Sequence, residues 1–367
     1  EEAVYSFKKA IEIKHDYAES YNNLGNIFIT LNKIEEAVKI YQKAIKIKSD
    51  YFEAHSNLGA ALDKLGKFEE SITHYQEAIK IKPDFEKANN NLAASFVAQG
   101  RFDEAISFYN KTLKLNPNKT QYAINANLLI PTIPKSNEDL KFWRDKYNSA
   151  IDVLKKNKYF IDDPQKVINP PTFNLSYSNF NNLNIMKKVS SFFRSAIPVI
   201  NFKTQRNNTV NQSDNKTKRI KIGFISEFFT DHTIGKLFKG LIKAIDKDKF
   251  ELLVFHFQRT KHGKIKEEIE SCSEKVICLD GKISDQHNLI EKELLDIIFY
   301  PDIGMTASTY FLAHARLAPV QIMSCGHPET SGISTIDYFL SSTLTEGKGA
   351  NSFYSERLIC LNSVYLN

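Results

Sequence analysis

The chain has 367 residues, 42% hydrophobic and 25% charged, which is typical of folded globular protein and sufficient for two or three domains. The 49 basic and 43 acidic residues are mixed along the chain, which argues against a nucleic-acid binder or a membrane-surface binder. No apolar run approaches the roughly 20 residues that span a bilayer, no signal peptide is visible, and the four cysteines lack zinc-type spacing, so we expect a cytoplasmic protein with reduced thiols.

The first third of the chain repeats with a period of 34 residues. Such a period resembles the tetratricopeptide repeat, whose helix hairpins stack into a superhelix because one hairpin cannot bury its apolar face alone. Glycine or asparagine at the turns tolerates a left-handed backbone, and we expect side-chain oxygens of aspartate or asparagine to cap the following helices. The sets in register are Ala10, Ala44 and Ala78; Phe7, Tyr41, Tyr75 and Tyr109; Leu24, Leu58 and Leu92; Asn32, Gly66 and Gly100; Asp16, Asp50, Asp84 and Asn118.

One recurring position of the repeat is polar. A single asparagine is most often a solvated surface residue, whereas asparagines in register would form a ladder along the inner face of the superhelix. Their amide groups can hold the backbone of an extended peptide. The sequence therefore predicts a peptide-binding ladder of Asn23, Asn57, Asn91 and Asn125.

A bridge follows the repeats. Pro131 and Pro134 interrupt the pattern, Ser136 predicts the cap of a long amphipathic helix, and a second helix is expected near Asn184 to Arg194. The polar stretch 203–218 lacks periodicity and predicts a linker. We place the repeat domain at 1–130, a helical and extended bridge at 131–218 and a third region at 219–367.

The third region alternates strand and helix. Its apolar runs RIKIGFI, FELLVFHF, KVICL, DIIFY and VQIM predict strands, with helical segments between them. This order predicts a mainly parallel sheet covered on both faces, a Rossmann-like lobe. Ligands of such sheets bind outside the carboxyl ends of the strands, so the loops SEFFTDHTIGK, PDIGMTAS and CGHPETSG should converge on one edge.

Two of these loops carry candidate site residues. Gly326 and Gly332 would let the backbone of the third loop approach a ligand, with N–H and hydroxyl groups as donors, although a purely structural crossover has the same composition. His232 in the first loop could take a proton from a hydroxyl or hydrogen-bond a substrate, but a lone histidine, like His327, is more often structural. No GxGxxG or P-loop pattern indicates a tightly bound dinucleotide.

Two aspartates near these loops remain open between a functional and a structural role. Asp302 could serve polar recognition or cap the next helix, and Asp231 could orient the ring of His232 or begin a helix.

In combination these motifs resemble the SPINDLY-like, O-linked N-acetylglucosamine transferase family, most closely its bacterial branch. The motifs are KIGFISEFFTDHTIGKLF, YPDIGM, LAHARLAPVQIMSCGHPETSGISTIDYFLSS and YSERLICL. The resemblance implies a two-lobed, GT-B type inverting glycosyltransferase without an obligatory metal or cofactor. Its substrates would be a UDP- or GDP-linked sugar and Ser or Thr hydroxyls of acceptor proteins held by the repeats, with no nucleic-acid or membrane partner.

The resemblance also assigns residues. His232 matches the active-site histidine of the first lobe, the asparagine ladder matches the acceptor site, and Glu227-Phe228 stands where the family often has Asp-Phe. The donor-contacting loop matches Gly326, His327, Pro328, Thr330, Ser331 and Gly332.

The family's second lobe is absent from this sequence, so we expect this fragment alone to be inactive. An alternative is a repeat-based adaptor that binds peptides without catalysis. A third is a sugar transferase that acts on lipid or polysaccharide precursors.

Overall fold

The structure is a computed structural model that describes residues 2–167, 172–178, 180–205, 219–257, 260, 263–326 and 328–362. It divides into two compact units, Glu1–Asn127 and Leu128–Asn367. Among the described residues, every helix is too short or too polar to cross a bilayer.

The first unit is built from helices joined by short turns, and each helix packs against the next. The even-numbered helices also contact one another, α2 with α4 and α4 with α6. This arrangement confirms the predicted stack of helix hairpins. The helices are α1 Glu2–Ile13, α2 Ala18–Thr30, α3 Ile34–Ile47, α4 Phe52–Lys64, α5 Phe68–Ile81, α6 Glu86–Ala98, α7 Phe102–Leu115 and α8 Thr120–Asn127.

The period of the repeat follows from close helix packing. A Cβ on Gly59 would lie 2.8 Å from the ring of Tyr75, which is buried, so only a residue without a side chain lets the two helices approach to this distance. The predicted left-handed turns are confirmed, because Asn32, Gly66 and Gly100 have φ angles of 58°, 73° and 74°.

The predicted aspartate caps are wrong for α2, α4 and α6. The N-cap residues of these helices are Tyr17, Tyr51 and Phe85, and none forms a side-chain cap hydrogen bond. The aspartates lie one position earlier, whereas a capping oxygen must come from the N-cap residue itself. The aromatic side chains pack on their neighbours instead, as in the edge contact of Phe85 with Phe52 at 4.9 Å between ring centroids.

The second unit contains a parallel sheet. The strand order is β3-β2-β1-β4-β5-β6-β7, and every pair of neighbouring strands is parallel. The first five strands confirm the prediction, and β6 and β7 extend the sheet further. The strands are β1 Ile220–Ile225, β2 Phe250–Phe257, β3 Lys275–Leu279, β4 Ile297–Tyr300, β5 Val320–Ser324, β6 Tyr338–Ser342 and β7 Arg357–Leu361.

Seven helices accompany the sheet in the described part of this unit. The predicted cap of α9 is confirmed, because the N–H of Asp139 donates to Ser136 Oγ over 3.1 Å. Most of the predicted linker, residues 206–218, lies outside the described residues. The helices are α9 Asn137–Lys156, α10 Pro164–Val167, α11 Leu183–Ala196, α12 Thr233–Ala244, α13 Lys264–Cys272, α14 Ile283–Glu291 and α15 Ala307–Leu312.

The central strands of the sheet are buried on both faces. Side chains of β1, β2 and β4 pack against α12 and α13 on one face, including Phe224 against Phe238 and Ile269 in one cluster. The alternate residues Phe255 and Tyr300 are also fully buried, because successive side chains of a strand point to opposite faces. In this central part of the sheet a ligand can therefore reach only the strand ends.

Candidate active site

The strand order reverses at β1. Strands β2 and β3 lie on one side of it and β4 to β7 on the other, so the loops after β1 and β4 leave the sheet in different directions. Such a reversal opens a crevice at the carboxyl ends of the two strands.

A buried aspartate joins the two loops at the crevice. Ser226 Oγ donates to Asp302 Oδ2 over 3.0 Å, and the N–H of Glu227 donates to the same oxygen over 3.4 Å. Burial raises the pKa of Asp302 to about 7, and its side chain is fully buried. Asp302 therefore holds the loop after β1 against the loop after β4, and it is not exposed to a ligand.

His232 is the N-cap residue of α12. Its Nδ1 accepts the N–H of Ile234 over 3.2 Å, and its ring stacks on Phe228 with 4.4 Å between centroids. A neutral imidazole has one acceptor nitrogen, so the neutral ring carries its proton on Nε2. In this arrangement His232 offers its surroundings an N–H donor.

Asp231 does not orient that ring. Its side chain is turned to the start of α13, where Oδ1 accepts the N–H of Ile265 over 3.3 Å. A Cβ on Gly263 would lie 2.5 Å from Asp231 Oδ2, so glycine at 263 makes room for this contact. Asp231 thus joins α13 to the loop that contains His232.

Gly326 brings the loop after β5 to the same edge. Its N–H donates to the carbonyl oxygen of Pro301 over 2.9 Å. A Cβ at this position would lie 2.0 Å from that oxygen and 2.9 Å from Ile234 Cδ1 in the first turn of α12. The loops after β1, β4 and β5 therefore meet, as the sequence predicts.

The hydroxyl groups of the same loop point inward. Thr330 Oγ1 donates to Glu356 Oε2 over 2.6 Å, and the N–H of Ser331 donates to Glu356 Oε1 over 2.9 Å. Ser331 Oγ also donates to Glu356 Oε1. All three residues are buried, so these groups hold the loop on the start of β7 and Pro328 is left exposed.

Close packing against α11 requires glycine at position 332. Its φ is +67°, and a Cβ would lie 2.3 Å from the backbone carbonyl carbon of Met186 in α11. A side chain at 332 would force this loop away from α11. His327, the remaining residue of the predicted donor loop, lies outside the described residues.

Sequence reasoning did not single out Ser226 or Glu356. Ser226 directly follows β1 and Glu356 directly precedes β7, and what marks them is burial beside partners 76 and 25 residues away, Asp302 and Ser331. Periodicity and motif spacing along the chain do not show which distant residues come into contact.

The asparagine ladder is linked from repeat to repeat. Asn57 Nδ2 donates to Asn22 Oδ1 over 2.9 Å, and Asn125 Nδ2 donates to Asn90 Oδ1 over 3.0 Å. Lys87 Nζ donates to Asn57 Oδ1 over 2.9 Å. Asn57 therefore bonds to the residue before Asn23, and Asn125 bonds to the residue before Asn91. Asn23 and Asn91 are the equivalent asparagines of the preceding repeat. Asn23 is exposed, and Asn91 is partly buried.

Metal ligands are not grouped in the described part of the chain: no three residues among His, Cys, Asp and Glu are placed to hold an ion.

Family models match both units. The model described as Glycosyl transferase family 41 matches residues 181–366. A TPR repeat model matches residues 1–32 and 25–66, and a tetratricopeptide repeat model matches residues 52–85 and 86–119.

Curated proteins match shorter stretches. The chain is 22% identical over 149 residues to a probable UDP-N-acetylglucosamine--peptide N-acetylglucosaminyltransferase, SEC, of Arabidopsis thaliana, covering 40% of this chain and 15% of that protein. It is 35% identical over 65 residues to a UDP-glucose:protein N-beta-glucosyltransferase of Actinobacillus pleuropneumoniae, covering 18% of this chain and 10% of that protein. The chain thus aligns with less than a fifth of the length of either relative.

A solved structure shares the fold. The O-GlcNAc transferase of Thermobaculum terrenum, solved as a mutant, superposes with a TM-score of 0.61 at 16% identity, covering 95% of this chain and 58% of that chain. At this identity the likeness concerns the fold, and it confirms helical repeats followed by a parallel-sheet α/β lobe.

Proposed function

This chain belongs to glycosyl transferase family 41, and from that premise we propose that it is the acceptor-binding and first-lobe part of a protein O-glycosyltransferase. The donor is a nucleotide sugar, linked to UDP or GDP, and the acceptor is a Ser or Thr hydroxyl of a protein. The observation that carries this proposal is the family match across the lobe whose loops after β1, β4 and β5 meet at one open edge.

His232 acts as a hydrogen-bond donor to substrate in this proposal. Its Nδ1 is engaged by the N–H of Ile234, so a neutral ring presents Nε2–H and has no lone pair left to receive the acceptor proton. A general base must have a free acceptor within reach of the proton it takes. We therefore assign His232 to orienting an oxygen of the acceptor or donor, and not to removing the proton.

The donor loop divides into contacting and supporting residues. Gly326 and Pro328 are the contacting residues at the edge of the sheet, and the resemblance adds His327 to the residues that touch the donor. Thr330, Ser331 and Gly332 fix the loop through Glu356 and α11, and this is how we interpret their place in the motif. The N-terminus of α12 adjoins this edge and favours the negative charge that develops on a departing diphosphate.

The acceptor polypeptide lies along the ladder of Asn23, Asn57, Asn91 and Asn125. Helices α2, α4 and α6 contact one another directly, which supports placing them on the concave side, where solenoid repeats usually bind partners. The amide of Asn57 is already oriented by Asn22 and Lys87. A fixed amide loses little conformational freedom when it binds a peptide backbone.

The test uses the natural polypeptide that carries these residues. It is incubated with a library of Ser- and Thr-containing peptides and, in turn, with UDP-N-acetylglucosamine, UDP-glucose and GDP-fucose, and mass spectrometry follows the peptides. We expect one donor to add a single sugar to Ser or Thr, without added metal and with no loss in a chelator. Peptide binding without transfer from any donor would favour the adaptor alternative.

A further inference from the structure

A small cavity opens beside the loop after β5. Its volume is about 270 Å³, which is below the roughly 300–1,000 Å³ of pockets that hold drug-sized ligands. Two kinds of group dominate its wall: aromatic rings of Phe180, Phe353 and Tyr354, and carboxylates of Glu329 and Glu346. The cavity has room for one side chain of a polypeptide.

Glu329 has a carboxylate oxygen without a protein partner. Its Oε1 accepts from Asn182 Nδ2 over 2.6 Å, whereas Oε2 is buried and has no hydrogen-bond partner among the described residues. Burial raises the pKa of Glu329, although the guanidinium of Arg144 opposes the shift. A buried oxygen without a partner is costly, and a donor brought by a ligand would satisfy it.

The aromatic rings are accessible. Phe180 is 45% exposed and Phe353 is 48% exposed, so a ligand can reach both rings from solvent. The guanidinium carbon of Arg144 lies 4.7 Å from the centroid of Phe180, so the protein already uses this ring as a platform for a cation. Ring faces attract organic cations more strongly as water is excluded.

The described residues that line the cavity include two carboxylates, Glu329 and Glu346, and no lysine or arginine. Tyr354 donates to Glu346 Oε1 over 2.9 Å. The pKa of Tyr354 is raised by burial first, and then by its bond to Glu346 and by the charges of Glu346, Glu356 and Glu329. The charges of Glu346, Glu356 and Glu329 therefore all act on this ring, and the guanidinium of Arg144 acts on Glu329 with the opposite sign. An anionic or phosphate ligand is disfavoured here.

We propose that this cavity binds the ammonium or guanidinium group of a lysine or arginine side chain of the acceptor polypeptide, between the rings of Phe180 and Phe353 and against Glu329 Oε2. Lysine and arginine share a cationic group, and this group is what the cavity recognises. The assignment of the cation to the acceptor polypeptide rests on the proposed function. The cavity shares Pro328 and Thr330 with the loop after β5, so a basic residue held here would position the polypeptide beside the sheet edge.

The first experiment measures binding to the 367-residue chain without nucleotide, by NMR titration. The probes are Nα-acetyl-lysine amide and Nα-acetyl-norleucine amide, which differ in charge and hardly in shape. We expect the lysine probe to bind at least ~10-fold more tightly, through charge-assisted hydrogen bonding and cation–π attraction. Equal affinities would overturn the proposal.

Variants locate the site. Glu329→Gln keeps the volume and the acceptor for Asn182 but removes the charge, and it should abolish the preference for lysine. Glu267→Gln, an exposed position on α13, is the matched control and should keep it. Phe353→Leu, at an exposed ring, serves where Glu329→Gln fails to fold, and we expect it to weaken lysine binding by ~3-fold or more. Unchanged lysine binding in both Glu329→Gln and Phe353→Leu would overturn the proposal.

A third arm separates the sources of the cation. Ser-containing peptides that differ only by lysine or norleucine are titrated in the same way. Preference for the lysine peptide supports an acceptor site, and binding of the small amide alone would overturn the acceptor assignment in favour of a free amine. Because no donor is present, failed sugar transfer with intact lysine preference would count against the proposed function and not against this site.

Discussion

The backbone N–H of Gly326 donates to the carbonyl oxygen of Pro301 over 2.9 Å. A Cβ on Gly326 would lie 2.0 Å from that oxygen, so the hydrogen bond requires glycine at this position. It joins the loop after β5 to the end of β4. The loops that form the candidate site therefore cannot move independently.

Gly326→Ala should push these loops apart. We expect the free energy of unfolding to fall by about 1–3 kcal/mol, as for overpacking elsewhere, in urea denaturation. Gly347→Ala is the matched control, because no atom lies within 4 Å of its Cβ position, and we expect a change within about 0.5 kcal/mol. Similar losses at both glycines would show that the close approach to Pro301 is not the cause.

Glu356→Gln should destabilise the same loop from its other end. The substitution replaces a buried carboxylate that accepts from Thr330 and Ser331, and its amide group would face donors. We expect a loss of about 2 kcal/mol or more, measured by thermal or urea unfolding. The control is Glu274→Gln, which removes a more exposed ion pair with Arg219 and should cost less than about 1 kcal/mol.

His232 can be tested for chemistry separately from helix capping. Asparagine is a good N-cap residue, so His232→Asn should keep α12 stable, whereas His232→Ala should lose cap and ring together. We expect both variants to lower sugar transfer by at least ~100-fold, the lower range for a positioned acid–base or hydrogen-bonding group. Near-normal transfer by His232→Asn would reduce His232 to a helix cap.

The ladder prediction concerns affinity for long acceptors. Replacing Asn57 and Asn91 together with Ala should weaken protein acceptors by ~10-fold or more, at about 1 kcal/mol per lost hydrogen bond, and short peptides less. The readout is KM for each acceptor class. Gln76→Ala, at an exposed position on α5, should change neither. Equal loss for long and short acceptors would mean that these asparagines only hold the fold.

One contribution to stability should be lost in mild acid, because His314 is buried as a neutral ring, and this contribution is opposite in sign to that of the buried carboxyl of Asp302. Burial lowers the pKa of His314 to about 4, with a smaller contribution from Arg194. The His314 ring donates from Nδ1 to the carbonyl of Tyr310 and accepts at Nε2 from Ser190. Between about pH 6.5 and about pH 4 the imidazole of His314 is protonated in the unfolded chain but neutral in the folded protein. The buried neutral ring therefore contributes up to about 3 kcal/mol of stability above about pH 6.5, and this contribution is lost as the pH falls to about 4.

The check is the slope of the unfolding free energy against pH. His314→Gln should flatten the slope between pH of about 6.5 and 4, whatever its effect on absolute stability. His15→Gln, at an exposed histidine, should leave the slope unchanged. A wild-type slope in His314→Gln would mean that this histidine is not neutral in the folded protein.

Local features were readable from the sequence because they depend on neighbours along the chain. The 34-residue period predicted the helix hairpins, and the turn positions of Asn32, Gly66 and Gly100 predicted their left-handed backbone. Alternating apolar runs and helical segments predicted five strands of a parallel sheet, and parallel order alone placed three loops on one edge. The caps at Asp16, Asp50 and Asp84 failed because a shift of one residue removes a cap, and composition does not resolve one residue.

The direction of side chains within those loops was decided only by the tertiary structure. Thr330 and Ser331 look like ligand donors in sequence, and they turn to Glu356 because β7 places a buried carboxylate beneath them. The sequence left Asp302 open between polar recognition and a helix cap, and its bond to Ser226, 76 positions away, is seen only in the fold. The sequence by itself determined which elements form and which strand ends meet. The side chains that a ligand encounters there were decided by packing between distant segments, because a buried polar group must find its partner wherever the fold supplies one.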